Sequence, residues 1–551
     1  MSVKRYGIYL AYAPTVDLRH EGLGRYLAAF LKGAAAREDV HFVIVCPSWS
    51  RNSLERLFEA EHVPLRCVDI VAPDMVPAAL NLYQGWLDYR KRKRKSSRLG
   101  DLANRLRNFK TRVVENTLRG IATAESVGAL ILRMLPIFLL ILAFLALMPL
   151  WLALGIFVGA GFLGRRVFWR IVKRLGKLHQ RLQALIAKPK DDGVALRMYR
   201  VMEHHEGQRM LALINNLQDI RAWYCPTAFW PAFNGIKVPR LMCVPDVVLA
   251  DFPVGFAGVG GDRFLETFQF VESAIRGGQH FVTYSNSVKW DTLVDRYAVS
   301  PGCVAVVHHA PNDLSHWVNI KGLPDHEAAS RNYCQGLLIN AIQRSFNQGY
   351  AKGFQNGELK FFFYASQLRP NKNVLTLLRA YEYLLRKRFV GHKLIMTGNP
   401  YGWAPVQKFI EEHHLENDVL FLHGLKVQEL AACYKLADLA VNPSLSEGGC
   451  PFTFTEALSV DTPVVMARIP VTEEVLTDPE LQDMTFFDPY DWLSLADRIE
   501  WALAHRDDLL SIQRRTYAEL LRRTWADVVD EHLVVLERIA QLPEQSAGSV
   551  A

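Results

Sequence analysis

Among the eight cysteines of this 551-residue chain there is no Cys-x-x-Cys pair, and no His stands at zinc-finger spacing from any of them. That excludes a structural zinc module and a disulfide framework, and fits a reducing compartment. No Asp-x-Asp triplet occurs, and no His, Asp and Glu gather at metal-ligand spacing, so neither a metal nor any other cofactor is expected. Residues 1–13 form a strand-like apolar run without the character of a cleavable signal, so the polar parts of the chain are expected on the cytoplasmic side. The excess of one charge is modest, 64 Lys and Arg against 56 Asp and Glu for a net charge of +8, and it is concentrated on either side of one apolar stretch; no nucleic-acid partner is expected. Gly and Pro stay at background level while half of the residues are hydrophobic, so the chain is neither disordered nor fibrous. It is too long for one core and accommodates two α/β domains plus roughly a hundred further residues.

Those further residues are found where the chain stops being ordinary. Residues 134–164 carry no charge at all, an apolar run beyond what a soluble core helix needs. As one straight helix the run would extend about 46 Å against a hydrocarbon core of about 30 Å, and Pro136 and Pro149 offer places to bend. Basic residues flank it on both sides, Lys91 to Lys95 and Arg105 to Arg112 before, Arg165 to Lys177 after, so the positive-inside rule puts both flanks on the cytoplasmic face. A membrane hairpin, crossing twice or re-entrant, is expected, with 97–119 and 165–188 as basic amphipathic helices on anionic headgroups.

The remainder reads as two βα series. Before the insertion, 6–12 and 41–46 are strands around a helix at 24–36; after it, 221–225, 240–244, 280–284 and 303–307 continue the same sheet. A helix at 326–345 and a polar segment at 347–358 form a connector. A second series follows, with strands at 360–364, 393–397, 419–422, 439–442, 463–466 and 484–487 and a last helix at 525–541. The expected organisation is a Rossmann-like domain in two parts (1–90 and 200–325) interrupted by the hairpin insertion (91–199), a linker (326–358), a second Rossmann-like domain (359–524), and a helix with tail packing back (525–551). Two doubly wound halves place a ligand cleft at the carboxyl ends of their strands.

One stretch concentrates the chemistry: 442–474, NPSLSEGGCPFTFTEALSVDTPVVMARIPVTEE. After a strand it sets Glu447 before a Gly448-Gly449 pair, then Glu456 at the start of a helix, then a further strand. The two glycines let backbone amides approach a ligand, and a helix N-terminus favours phosphate or sugar hydroxyls. This pattern resembles the donor site of the retaining nucleotide-sugar glycosyltransferases of family four, also called group one, which have the GT-B fold. In that family seven residues usually separate the two Glu; here there are eight. The resemblance implies that Glu456 binds the donor ribose, that Glu447 contacts the hexose, and that the amides of Gly448, Gly449 and Cys450 hold sugar hydroxyls or diphosphate. In ASQLRPNKN at 365–373, Lys372 fits the family's lysine that neutralises the leaving diphosphate. The family's arginine position is taken by Gln367, with Arg369 as the candidate substitute. The first domain resembles the family in His20-Glu21-Gly22-Leu23-Gly24-Arg25, where Gly22 and Gly24 form the glycine loop, in Cys243-Val244-Pro245-Asp246, where Asp246 is the catalytic candidate, and in Thr283 to Ser287. His308 and His309 are alternative cleft residues.

By that resemblance the chain is expected to transfer a hexose, with retention and without a metal, from GDP-mannose or a UDP-sugar to a polyprenyl-diphosphate-linked saccharide. The setting would be bacterial polysaccharide assembly at the cytoplasmic face of the inner membrane. A non-catalytic nucleotide-sugar sensor or scaffold, and an epimerase on the same fold, are the competing readings.

Overall fold

The computed structural model describes residues 3–14, 16–20, 22–78, 80, 194–260, 262–345, 359–400 and 403–542. The apolar run 134–164 and the basic helices expected at 97–119 and 165–188 lie outside the described residues. No described helix is long and apolar enough to cross a membrane. The chain divides into two compact units, Met1–Asp74 with Glu203–Ala551, and Met75–Met202; both sheets described here belong to the former.

The first sheet has seven parallel strands in the order β3-β2-β1-β4-β5-β6-β7. They are β1 (Lys4–Tyr9), β2 (Val40–Val45), β3 (Val68–Val71), β4 (Ile220–Cys225), β5 (Arg240–Cys243), β6 (His280–Thr283) and β7 (Val304–Val306). Continuous apolar stretches such as VHFVIV pair in parallel because helices cover both faces of the sheet. Alternation along β1 shows it: Tyr6 and Ile8 enter the core on one face with Phe30 and Phe42, and Tyr9 enters the other with Trp223 and Phe233. The sequence reading missed β3, whose VDIV is four residues long and exposes Asp69 at the sheet edge.

The second sheet has six parallel strands in the order β10-β9-β8-β11-β12-β13. These are β8 (Phe361–Tyr364), β9 (Lys393–Thr397), β10 (Val419–Leu422), β11 (Leu439–Asn442), β12 (Val464–Ala467) and β13 (Phe486–Phe487). The helix His326–Gln343 contributes Cys334, Leu338, Ala341 and Ile342 to the core that also holds Phe361 and Phe363. At the other end of the chain, the helix Trp525–Ala540 returns to the first sheet. Its Val528, Val529, Leu533, Leu536 and Ile539 pack with Tyr6, Phe30 and Phe42. Thr524 starts that helix: its hydroxyl accepts from the Asp527 amide at 3.2 Å, while Asp527 accepts from the Thr524 amide at 2.8 Å.

The carboxyl ends of the two sheets come together where the Ser285 hydroxyl donates to the Gly448 carbonyl and Gly448 lies against the Pro245 backbone. The loops leaving β5, β6, β8 and β11 at those ends carry Asp246, Ser285, Lys372 and Glu447.

Candidate active site

In the second domain, two loops are stitched together before any ligand is considered. The turn Pro370–Lys372 follows β8, and Asn373 closes it with a left-handed backbone (φ 52°), a conformation Asn adopts more readily than most residues. The Leu445 amide donates to the Asn371 carbonyl at 2.8 Å, and the Tyr364 hydroxyl donates to the Lys372 carbonyl at 3.3 Å. These bonds fix the lysine backbone relative to the glycine loop. Lys372 Nζ then donates to Glu447 Oε1 at 2.6 Å, with the two side chains only 20% and 18% exposed. Burial works against the ammonium, but Glu447 beside it, together with Tyr364 and Asp246, outweighs that and holds the Lys372 pKa above its ordinary value.

The first domain meets this pair through Asp246. Burial raises its carboxyl pKa, opposed by the positive charge of Lys372 and reinforced by Glu447. Two carboxylates and a lysine therefore share one low-dielectric region, with the lysine making the charges compatible. The contact is tight. A Cβ on Gly448 would lie 1.9 Å from the Pro245 carbonyl oxygen, so only glycine allows the loop of one domain to reach the backbone of the other. The fully buried Ser285 donates through its hydroxyl to the Gly448 carbonyl at 3.0 Å. Gly449 stands equally close to Tyr284 and His309.

Glu456 lies on the helix Phe452–Leu458 and is 2% exposed. Its Oε1 accepts from Arg25 Nη1 at 2.9 Å and from Asn312 Nδ2 at 3.2 Å. A second carboxylate, Glu474, accepts from the Asn286 amide at 2.8 Å, the Asn286 side chain at 3.0 Å and the Ser287 amide at 3.1 Å. Sequence reasoning quoted Arg25, Asn286 and Ser287 only within their stretches and singled out neither Asn312 nor Glu474. Partners separated by 431 or 188 residues leave no local signal.

The other candidate residues are placed as follows. Gln367 and Arg369 are exposed, and Arg369 donates to the Gln367 side chain; Arg369 is still near enough to lower the Asp246 pKa. Gly24 is buried, its α-carbon face against the Leu18 carbonyl, whereas a side chain at Gly22 would meet nothing within 4 Å. The close approach at Gly24 thus serves packing. Burial pushes the Cys450 thiol up to about 12, so it stays protonated. Beside it a cavity of about 240 Å³ is lined by His308, His309, Thr455, Glu474 and Arg523 among others, and burial pushes the His309 imidazole down to about 4. Both histidines therefore line a cavity next to the glycine loop.

Residues 350–519 match the model of the family described as glycosyl transferases group 1. Over 249 residues the chain is 36% identical to the O-antigen chain mannosyltransferase RfbU of Salmonella typhimurium, a match covering 43% of this chain and 57% of the relative's length. A glycosyltransferase from Rickettsia africae superposes with a TM-score of 0.51 at 11% identity, covering 98% of this chain and 100% of that one. Anabaena Alr3699/HepE, solved in complex with UDP and glucose, gives 0.51 at 12% identity over 97% and 100%. Sucrose-phosphate synthase from Thermosynechococcus elongatus gives 0.54 at 11% over 97% and 99%. At such identities the solved structures establish a shared fold, that of two parallel α/β sheets. Over residues 350–519, which take in the second α/β domain, the chain is thus similar to the glycosyl transferases group 1.

Proposed function

We propose that this chain is a retaining hexosyltransferase that uses a nucleotide-sugar donor. The observation that carries the reading is the meeting of Lys372, Glu447 and Asp246, from opposite domains, around the Gly448-Gly449 loop. Breaking a sugar-phosphate bond builds negative charge on the departing diphosphate, and a fixed lysine in a low-dielectric cleft stabilises that charge. Lys372, assisted by Arg369, takes this role and makes a metal unnecessary. Glu447 contacts the hexose, the amides of Gly448, Gly449 and Cys450 hold its hydroxyls, and Glu456 receives the ribose. In the reaction the bond from the anomeric carbon to the phosphate oxygen breaks as the acceptor oxygen bonds to the same face. The acceptor's proton passes to the leaving phosphate.

The mannosyltransferase name of the Salmonella relative favours GDP-mannose as donor and a polysaccharide precursor as acceptor. A polyprenyl-diphosphate-linked saccharide fits the apolar run 134–164 with its basic flanks, which would dock the enzyme on the cytoplasmic face of the inner membrane. Retention is tested by proton NMR of the product formed from an α-linked donor: an α-linkage supports this chemistry, and a β-linkage contradicts it.

A further inference from the structure

Resting on the donor-site reading above, we propose that Arg25 serves two anions in turn. It holds the Glu456 carboxylate, as seen here, and passes to the diphosphate of a nucleotide donor once the ribose hydroxyls take that carboxylate. Arg25 stands in the first turn of the helix Gly22–Ala34, and its guanidinium crosses to the other domain to reach Glu456 at 2.9 Å. The two ends of the pair differ: the Glu456 side chain is 2% exposed, while that of Arg25 is 32% exposed. The carboxylate is fixed on its helix, and the long, partly solvated arginine is the member free to move.

A ribose is neutral. If its hydroxyls displaced Arg25 from Glu456 and nothing else happened, a guanidinium and a buried carboxylate would both lose their counter-charge, which is strongly unfavourable. The diphosphate of the same ligand removes half of that difficulty, since it brings negative charge on an acceptor geometry that suits the planar guanidinium fork. Asn312, bonded to the same carboxylate oxygen at 3.2 Å, keeps Glu456 oriented through the exchange. One ion pair then replaces another. A nucleoside lacking phosphates has to break the Arg25–Glu456 pair without that return, so Arg25 makes the site discriminate in favour of phosphorylated ligands.

The test uses the full chain in detergent and isothermal titration with GDP against guanosine, and UDP against uridine. It compares the wild type with Arg25→Ala and with Arg25→Gln, whose similar shape preserves packing. Exchange predicts that both variants bind the nucleoside diphosphate about tenfold or more weakly and the nucleoside as well as or better than the wild type, with partial recovery in Arg25→Lys. An unchanged ratio of nucleoside to diphosphate affinity in both variants would overturn the proposal, because the pair would then be structural only. Tighter binding of both ligands would overturn it too, making Arg25 a plain competitor. Failure of the wild type to bind either diphosphate is a distinct outcome that removes the donor-site reading and this proposal together.

Discussion

Lys372 is the residue on which the electrostatics of the cleft turn. It neutralises Glu447 at 2.6 Å and opposes the rise in the Asp246 pKa, so its loss leaves two carboxylates in the cleft without that charge and, on the proposed chemistry, a leaving group without its cation. Lys372→Met is expected to cut kcat by about 10²- to 10³-fold and, by stranding buried carboxylates, to lower the melting temperature as well, as steady-state kinetics and calorimetry would show. Gly448→Ala acts sterically, since the new methyl falls on the Pro245 carbonyl oxygen. It should raise the donor KM and lower kcat together, by tenfold or more in kcat/KM by order of magnitude, since small displacements at a reacting centre are costly. Equal kinetics in this variant would mean that the two loops need not meet. At this scale the sequence was partly readable: Lys372, Glu447 and Gly448 stand in loops whose composition advertises them. Arg25, Asn312 and Glu474 gain their partners only from the fold, across 144 residues or more.

Among elements, the strands were the most legible part, because buried parallel strands are uninterrupted apolar runs. Lys393–Thr397, Val419–Leu422 and Leu439–Asn442 fall where the sequence reading sets them. β3 was hidden by its brevity and its exposed Asp69, and β13 is shorter than expected because 484–485 finish the helix Pro479–Thr485. The helix Trp525–Ala540 carries a testable electrostatic feature. His532 is fully buried between Phe30 and Tyr224, and burial pushes its imidazole down to about 4. Its folded pKa lies below the unfolded value near 6.5, so in the window between them the unfolded chain binds more protons. Stability from this group is present above about pH 6.5 and is lost as pH falls towards 4, by about 1.4 kcal/mol per unit at most. The buried His309 adds the same sign in the same window. His532→Phe should flatten the acid side of a plot of melting temperature against pH, and an unaltered slope would show that His532 is not the group responsible.

At the scale of the whole molecule, two parallel sheets are joined so that loops from their carboxyl ends meet in one charged, glycine-lined cleft. The fold class was legible because two series of βα units announce it; the closeness of the two domains was not, since it rests on Gly448 against Pro245 and on Glu474 against Asn286 and Ser287. If the chain is a transferase and not a sensor, catalysis should depend on that cleft and on no divalent cation. The most direct measurement is nucleoside diphosphate release by the detergent-purified chain with EDTA present, from GDP-mannose, UDP-glucose, UDP-galactose and UDP-GlcNAc, with and without a polyprenyl-linked acceptor. Release from one donor, increased by the acceptor and lost in Lys372→Met, is the predicted result. Binding of a donor with no release under any condition, or release that Lys372→Met leaves intact, would contradict it.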